Sequence, residues 1–331
     1  MGIVLLAAGF AAVLGGALLF TNAVEWAGTR LGLGVGAVGT ILAAVSTALP
    51  ESVIPVVAVL RGDADADDVA VGAILGAPFM LATIAMALIG LTALGFSRRR
   101  VQGSRLRLPR GIVRRDLVFF LVLMSVTLVL GLGTPELLRF AAAPLLVLAY
   151  GGYVVLTVRR AGAAQPDEEL PALIADPTKG DPPASAAIAL QFVVGLGLIV
   201  GGAHLIVDEL IAVAERIDVS PLVLALLVAP LATELPEKAN SVLWIREGKD
   251  TLAVGNVTGA MVFQSTLPVA IGVAFTSWEL DGFALLAGFL ALAGGAVALY
   301  AVDARARLSV PAIAILISLF AAFAAAVWLA G

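Results

Sequence analysis

Cysteine is absent from the sequence and histidine occurs once, at His204. Disulfides, zinc-thiolate sites and thiol chemistry are thereby excluded, and so are metal sites built on paired histidines such as HExxH. Charge is scarce too: 13% of the 331 residues are charged, 61% are hydrophobic, and mean hydropathy is +1.06. That balance is far from a soluble domain's and marks an all-α, polytopic membrane protein embedded in a lipid bilayer. The net charge of -4 is small and says nothing about partners; no nucleic-acid partner is expected. The N-terminus lacks the basic region of a signal peptide, so its first apolar run reads as a retained helix.

With about 20 residues needed per crossing, ten apolar spans are expected. They run near Gly2 to Val24, Leu33 to Leu60, Val69 to Phe96, Leu117 to Leu132, Leu137 to Val158, Ala186 to Val207, Val219 to Ile245, Leu252 to Phe275, Phe283 to Val302 and Leu308 to Ala330. Five fall in each half, with repeat units at residues 1–158 and 186–331 and a cytoplasmic linker at 159–185. An odd number of crossings per unit inverts one half relative to the other. The loop after the third span holds Arg98, Arg99, Arg100, Arg105, Arg107, Arg110, Arg114 and Arg115. Making it cytoplasmic also places Arg30, Arg159, Arg160, Lys179, Arg246, Lys249, Arg305 and Arg307 inside, and leaves only Arg61, Arg139 and Arg216 outside. This positive-inside pattern predicts a multi-pass cell-membrane protein with both termini outside.

The halves match in sequence. A shift of 186 positions lays Gly15-Gly16-Ala17 on Gly201-Gly202-Ala203, Thr47 on Thr233, Pro50 on Pro236, Glu51 on Glu237 and Gly62 on Gly248. After a three-residue deletion Gly72-x-x-x-Gly76-Ala77 meets Gly255-x-x-x-Gly259-Ala260. Such duplications commonly build transporters, with the substrate site near the midplane where interrupted helices of the two halves meet.

The strongest chemical signal is the twin segment Ser46-Thr47-Ala48-Leu49-Pro50-Glu51 and Ala232-Thr233-Glu234-Leu235-Pro236-Glu237. A carboxylate inside an apolar span costs roughly 2.5 to 3.5 kcal/mol on insertion scales. Thr47 and Glu51 are four apart, as are Thr233 and Glu237, so hydroxyl and carboxylate share one helix face. Proline, lacking an N-H, leaves the carbonyls of Ser46 and Ala232 without their helix partners. Backbone of that kind is tolerated at membrane depth where it lines a cavity. Carboxylate, hydroxyl and freed carbonyl are hard oxygen ligands, and two such sets suit a hard cation, Ca2+ above all. Lys238 is the one obvious intramembrane counter-charge and stands four residues after Glu234, the spacing of an ion pair. It reads either as a plain neutraliser of Glu234 or as a fixed stand-in for a monovalent cation.

Other features have plainer readings. Gly34 to Gly39 fits GxGxxG, but no strand precedes it, so it serves helix packing, as do Gly72-x-x-x-Gly76 and Gly255-x-x-x-Gly259. His204 stands near Asp208 and Glu209 and reads as a helix-end or bundle contact, with a proton relay as the alternative. Asp63, Asp65, Asp67 and Asp68 form a solvated outer loop that can concentrate cations. The linker, with Pro166, Pro177, Pro182 and Pro183, reads as flexible.

These motifs together resemble the cation/calcium exchanger superfamily, whose repeats read approximately G-T-S-L-P-E and then G-N-x-x-G-S-N-x-F-N. The resemblance implies an antiporter that moves Ca2+ outward against Na+ or H+, with Glu51 and Glu237 as ion ligands and Asn256 and Gln264 as surviving amide ligands. Ser46, Thr47, Thr233 and Glu234 complete the expected ligand set. The chain departs from the pattern at Ala73, Ala77, Pro78, Ala260 and Met261, which lack side-chain oxygens, and Glu234 and Lys238 are additions. No cofactor is expected beyond the transported cations, and no enzyme chemistry, since no nucleophile and base surround the twin acids. An H+-coupled exchanger of another cation, and a channel or sensor on the same scaffold, are the alternatives. A homo-oligomer is compatible with the sequence.

Overall fold

The computed structural model describes residues 2–30, 51–161, 172–176, 183–280, 282–305 and 307–330. Every regular element among them is helical. In chain order they are α1 (Gly2–Arg30), α2 (51–61), α3 (Ala64–Met80), a π-helical turn (Leu81–Ala85), α4 (Met86–Gly95), α5 (Arg110–Gly131) and α6 (Glu136–Ala161). The second half holds α7 (Ser185–Ile217), α8 (Pro221–Thr233), α9 (Leu235–Arg246), α10 (Asp250–Gln264), α11 (Leu267–Phe275), α12 (Gly282–Arg305) and α13 (Val310–Ala330).

Among the described residues, seven helical stretches are long and apolar enough to cross a membrane. The helix α5 spans 22 residues but carries Arg114, Arg115 and Asp116 near its start. Helices α8 and α9 are each too short alone, at 13 and 12 residues. The predicted second span begins in residues 31–50, which lie outside the described residues together with Ser46 and Thr47.

In a bilayer, helices associate through close backbone approach at small residues more than through burial of apolar area. Helices α1 and α7 show this. A Cβ on Gly9 would stand 3.1 Å from the Gly202 carbonyl oxygen, and one on Gly16 would stand 2.7 Å from that of Gly195. The numbering rises along one helix as it falls along the other, so the pair is antiparallel. Gly195 and Gly202 are also the 186-residue equivalents of Gly9 and Gly16, so the two contacts exchange under a two-fold rotation, as in an isologous interface. Gly62 and Gly248, equivalent under the same shift, share the left-handed backbone, with φ of 76° and 78°.

Gly72 and Gly76 seat α3 on α8, where Cβ atoms would fall 2.4 Å from the Leu222 oxygen and 2.3 Å from the Leu226 oxygen. For Gly255 nothing among the described residues comes within 4 Å. The main core gathers Phe79, Phe120, Met124, Trp278 and Phe323 from α3, α5, α13 and the stretch after α11. Apolar side chains left outside it, such as Ile3, Val193 and Trp328, are exposed on a lipid-facing surface.

Part of the linker is docked, contrary to the expectation of a flexible segment. Leu173 packs with Ala23, Trp26 and Ile188, while Ile174 N-H donates to Asn22 Oδ1 at 3.1 Å and Ala175 N-H to Gln191 Oε1 at 2.7 Å. Gln191 Nε2 in turn donates to Asn22 Oδ1 at 2.9 Å, so two buried amides join α1, α7 and the linker.

Candidate cation site

Three interruptions of helical structure bring polar groups into the apolar interior. The first separates α8 from α9 at Glu234, whose backbone (φ -94°, ψ 6°) leaves the helix, with Pro236 in the first turn of α9. This is the break expected of the Leu-Pro-Glu segment, since Pro236 offers no N-H to the Ala232 carbonyl. The second lies between α10 and α11 at Ser265 and Thr266 (φ -128°, ψ -78°), just before Pro268. By the same logic Pro268 frees the carbonyl of Gln264. The third is the π-helical turn Leu81–Ala85.

At the second interruption Gln264 Nε2 donates a hydrogen bond to Glu51 Oε2, joining residues 213 positions apart. Both are buried, Gln264 at 1% exposure. A carboxylate taken from water needs a donor or a cation, and the amide supplies the first while leaving other lone pairs on the carboxylate. Ser265 and Thr266 are fully buried beside it. Their hydroxyls donate to the carbonyls of Met261, Val262 and Phe263 at 2.8 to 3.1 Å, so their oxygens keep acceptor capacity.

At the first interruption Lys238 Nζ donates to Glu234 Oε2 at 2.7 Å, with the carboxylate fully buried. Thr233 is buried too, its hydroxyl donating to the Ala229 carbonyl at 3.1 Å. Helices α9 and α10 form a hairpin around Gly248. At 1.5 Å per residue, Glu234 stands about 18 Å from the end of α9, and Gln264 about 21 Å from the start of α10. The Glu234–Lys238 pair and the Glu51–Gln264 pair therefore lie at about the same depth.

Of the expected ligands, the structure joins Glu51 to Gln264 and Glu234 to Lys238. Asn256 is half-buried on α10, and the Glu237 side chain, like Ser46 and Thr47, lies outside the described residues. Among the described residues, no group of three His, Asp or Glu side chains that could hold a metal ion occurs. His204 is exposed midway along α7, neither at a helix end nor in a buried bundle contact as expected.

The sequence reading missed Ser265 and Thr266, although Ser-Thr-Leu-Pro at 265–268 puts hydroxyls before a proline as the twin segments do. It also missed two polar clusters outside the interruptions. Asp116 on α5 accepts from Thr258 Oγ1 on α10 at 3.1 Å and from Arg115 Nη2 at 2.9 Å. Asp250, at the start of α10, is paired with Arg100 with neither side chain exposed, and accepts from Gln102 Nε2 at 3.0 Å and Arg107 N-H at 2.8 Å.

The family model for the sodium/calcium exchanger protein matches residues 1–159 and 187–329. CaxA of Alkalimonas amylolytica is 28% identical over 253 residues, covering 75% of this chain and 72% of that protein. Inner membrane protein YrbG of Escherichia coli (strain K12) is 26% identical over 252 residues, covering 75% and 71%. Among solved structures, the H+/Ca2+ exchanger CAX superposes with a TM-score of 0.71 at 17% identity, over 98% of this chain and 81% of that one. The sodium-calcium exchanger NCX_Mj does so with a TM-score of 0.59 at 17% identity, over 98% of each chain. At that identity the structural likeness speaks for the fold alone. The family match covers nearly the whole chain and leaves out only residues 160–186 and the last two: this protein is a member of the sodium/calcium exchanger family.

Proposed function

We propose that the chain is a secondary active antiporter that exports Ca2+ in exchange for Na+ or H+, working by alternating access of two inverted five-helix repeats around one central site. The observation that carries this reading is the contact between Glu51 and Gln264. It sets a buried carboxylate from the first half against an amide at a broken helix of the second. Discontinuous helices that present oxygens at membrane depth are what a transporter needs in order to replace the hydration shell of an ion. The named activities of CAX and NCX_Mj agree with this substrate class.

In this reading Glu51 and Glu237 are the principal ligands, with Ser46, Thr47, Thr233, Glu234, Asn256 and Gln264 as further oxygen donors. The protein sits in the cell membrane with ten spans and both termini outside, as the arginine distribution implies. A cysteine at Ser104 would then be shielded from an impermeant thiol reagent in intact cells, and one at Ala66 labelled. The reading is tested by Ca2+ uptake into proteoliposomes driven in turn by Na+ and pH gradients. The wild type should concentrate Ca2+ under at least one gradient, and Glu51→Gln and Glu237→Gln should abolish uptake while the protein stays folded. Wild-type rates in both variants would refute the site, and Ca2+ movement that ignores both counter-ion gradients would show a channel.

A further inference from the structure

The Glu234–Lys238 pair is not explained by the fold. A buried ion pair is weak evidence for stability, because apolar residues of similar volume often serve as well or better. The repeat makes the same point within this chain. The 186-residue shift places Ala48 and Ser52 where the second half has Glu234 and Lys238. The matching segment of the first half therefore does without either charge.

The pair sits where charge counts. Glu234 occupies the interruption itself, Lys238 follows Glu237 directly, and both are level with the Glu51–Gln264 contact. One turn beyond Lys238 along α9, Ser241 Oγ is buried and finds no hydrogen-bond partner among the described residues. Glu234, Lys238 and Ser241, at spacings of four and three residues, thus share one helix face.

We propose that Lys238 is a tethered counter-cation of the transport site, fixing the charge that transported ions must balance. The proposal rests on the reading of Glu51 and Glu237 as cation ligands. With Glu51, Glu234 and Glu237 ionised, the lysine brings three negative charges down to two. One divalent cation, or two monovalent cations, then neutralises the site, and an uncompensated charge in a low-dielectric interior is costly. Both loaded forms cross the membrane neutral, so exchange of one divalent for two monovalent ions moves no net charge.

Replacing Lys238 by Met leaves three negative charges and one too few on either load. Replacing Glu234 by Gln leaves one negative charge and an excess positive charge on the divalent-loaded form. The two single changes therefore give the loaded site net charges of opposite sign, so that its translocation step becomes sensitive to the potential in opposite senses, and the double change restores the original balance.

The experiment is Ca2+ flux in proteoliposomes with the membrane potential clamped by K+ and valinomycin. Wild type and the Glu234→Gln/Lys238→Met double variant should transport at rates independent of the potential. Lys238→Met should respond to the potential in one sense and Glu234→Gln in the other. If Glu234→Gln fails to fold with its lysine unpaired, Lys238→Met and the double variant still give the comparison. A potential-driven wild type, or a Lys238→Met protein that transports without responding to potential, overturns the proposal while the exchanger reading stands. A wild type that moves no Ca2+ under any gradient overturns the exchanger reading, and the role of Lys238 with it.

Discussion

The two halves interrupt the same helix at the same place and do different things there. In the register of the glycine motifs, Leu81–Ala85 corresponds to Gln264–Pro268. One threonine is common to both, and it behaves alike: Thr83 Oγ1 donates to the Phe79 carbonyl at 2.6 Å and Thr266 Oγ1 to that of Val262 at 2.9 Å. The rest has diverged. Gln264 and Ser265 stand where the first half has Leu81 and Ala82, and Pro268 stands where it has Ala85. Without a proline at the place of Pro268 the first half only loosens into a π turn, which α12 covers so closely that a Cβ on Gly294 would lie 2.6 Å from the Ala82 oxygen. With a proline the second half breaks, and its amide reaches across to Glu51. An interrupted membrane helix is thus a scaffold that can be sealed or opened, and side chains decide which.

The sharpest way to break this comparison is to make the second interruption resemble the first. Gln264→Leu copies Leu81 and takes from Glu51 the donor that holds it. Ca2+ uptake should fall tenfold or more, since a carboxylate ligand misplaced by even about 1 Å loses its geometry. The fold should persist, because leucine fills the same volume in an apolar setting. Ca2+ uptake by Gln264→Leu within twofold of wild type would show that the amide contact has no part in transport.

Much of this contrast was open to sequence reasoning, and the part that was not has a physical reason. The break at Glu234 followed from Pro236, and the Lys238–Glu234 pair from its spacing, because both are local properties of one helix. The interruption at Ser265 could have been read from Pro268 by the same rule. Contacts across 213 residues are another matter: Gln264 entered as a ligand through family resemblance, and nothing in its neighbourhood names Glu51 as its partner. Arg100 was lost among the topogenic arginines around it. Its burial depends on Asp250, which is legible only once α4 and α10 are placed side by side.

A second contrast concerns the hairpin turns that carry Gly62 and Gly248. Beyond Gly248, Lys249 at the N-cap of α10 makes no capping hydrogen bond, and its ammonium instead meets Glu247 at 2.7 Å in solvent. The start of α10 is held instead by buried Asp250 with Arg100, Gln102 and Arg107. Asp250→Asn keeps the shape but leaves Arg100 buried without its counter-charge, so a loss of about 3 to 5 kcal/mol is expected. Thermal unfolding in detergent should show it, and Arg100→Met/Asp250→Leu should lose less than Asp250→Asn alone. If the single change proves harmless, the pair is solvated and contributes little.

Beyond Gly62 the same task falls to an exposed residue, and the expected effect is the smallest. Asp63 caps α3 by accepting the Ala66 N-H at 2.8 Å, and its other oxygen takes Arg61 Nε at 2.6 Å. The capping N-H, and after it Arg61, hold the Asp63 carboxyl below its ordinary value. A carboxyl whose value is lowered by folding stabilises the fold at pH above its unfolded value, near 4. That contribution is lost as the pH falls through the lowered folded value. Asn can still cap the helix but cannot pair with Arg61. The difference in melting temperature between wild type and Asp63→Asn should therefore be slight and constant around neutral pH, and should shrink toward zero in acid. Added salt should reduce it further, because both partners are open to solvent. A difference that widened in acid would mean that the charge of Asp63 opposes folding, and the two turns would then differ in sign as well as in size.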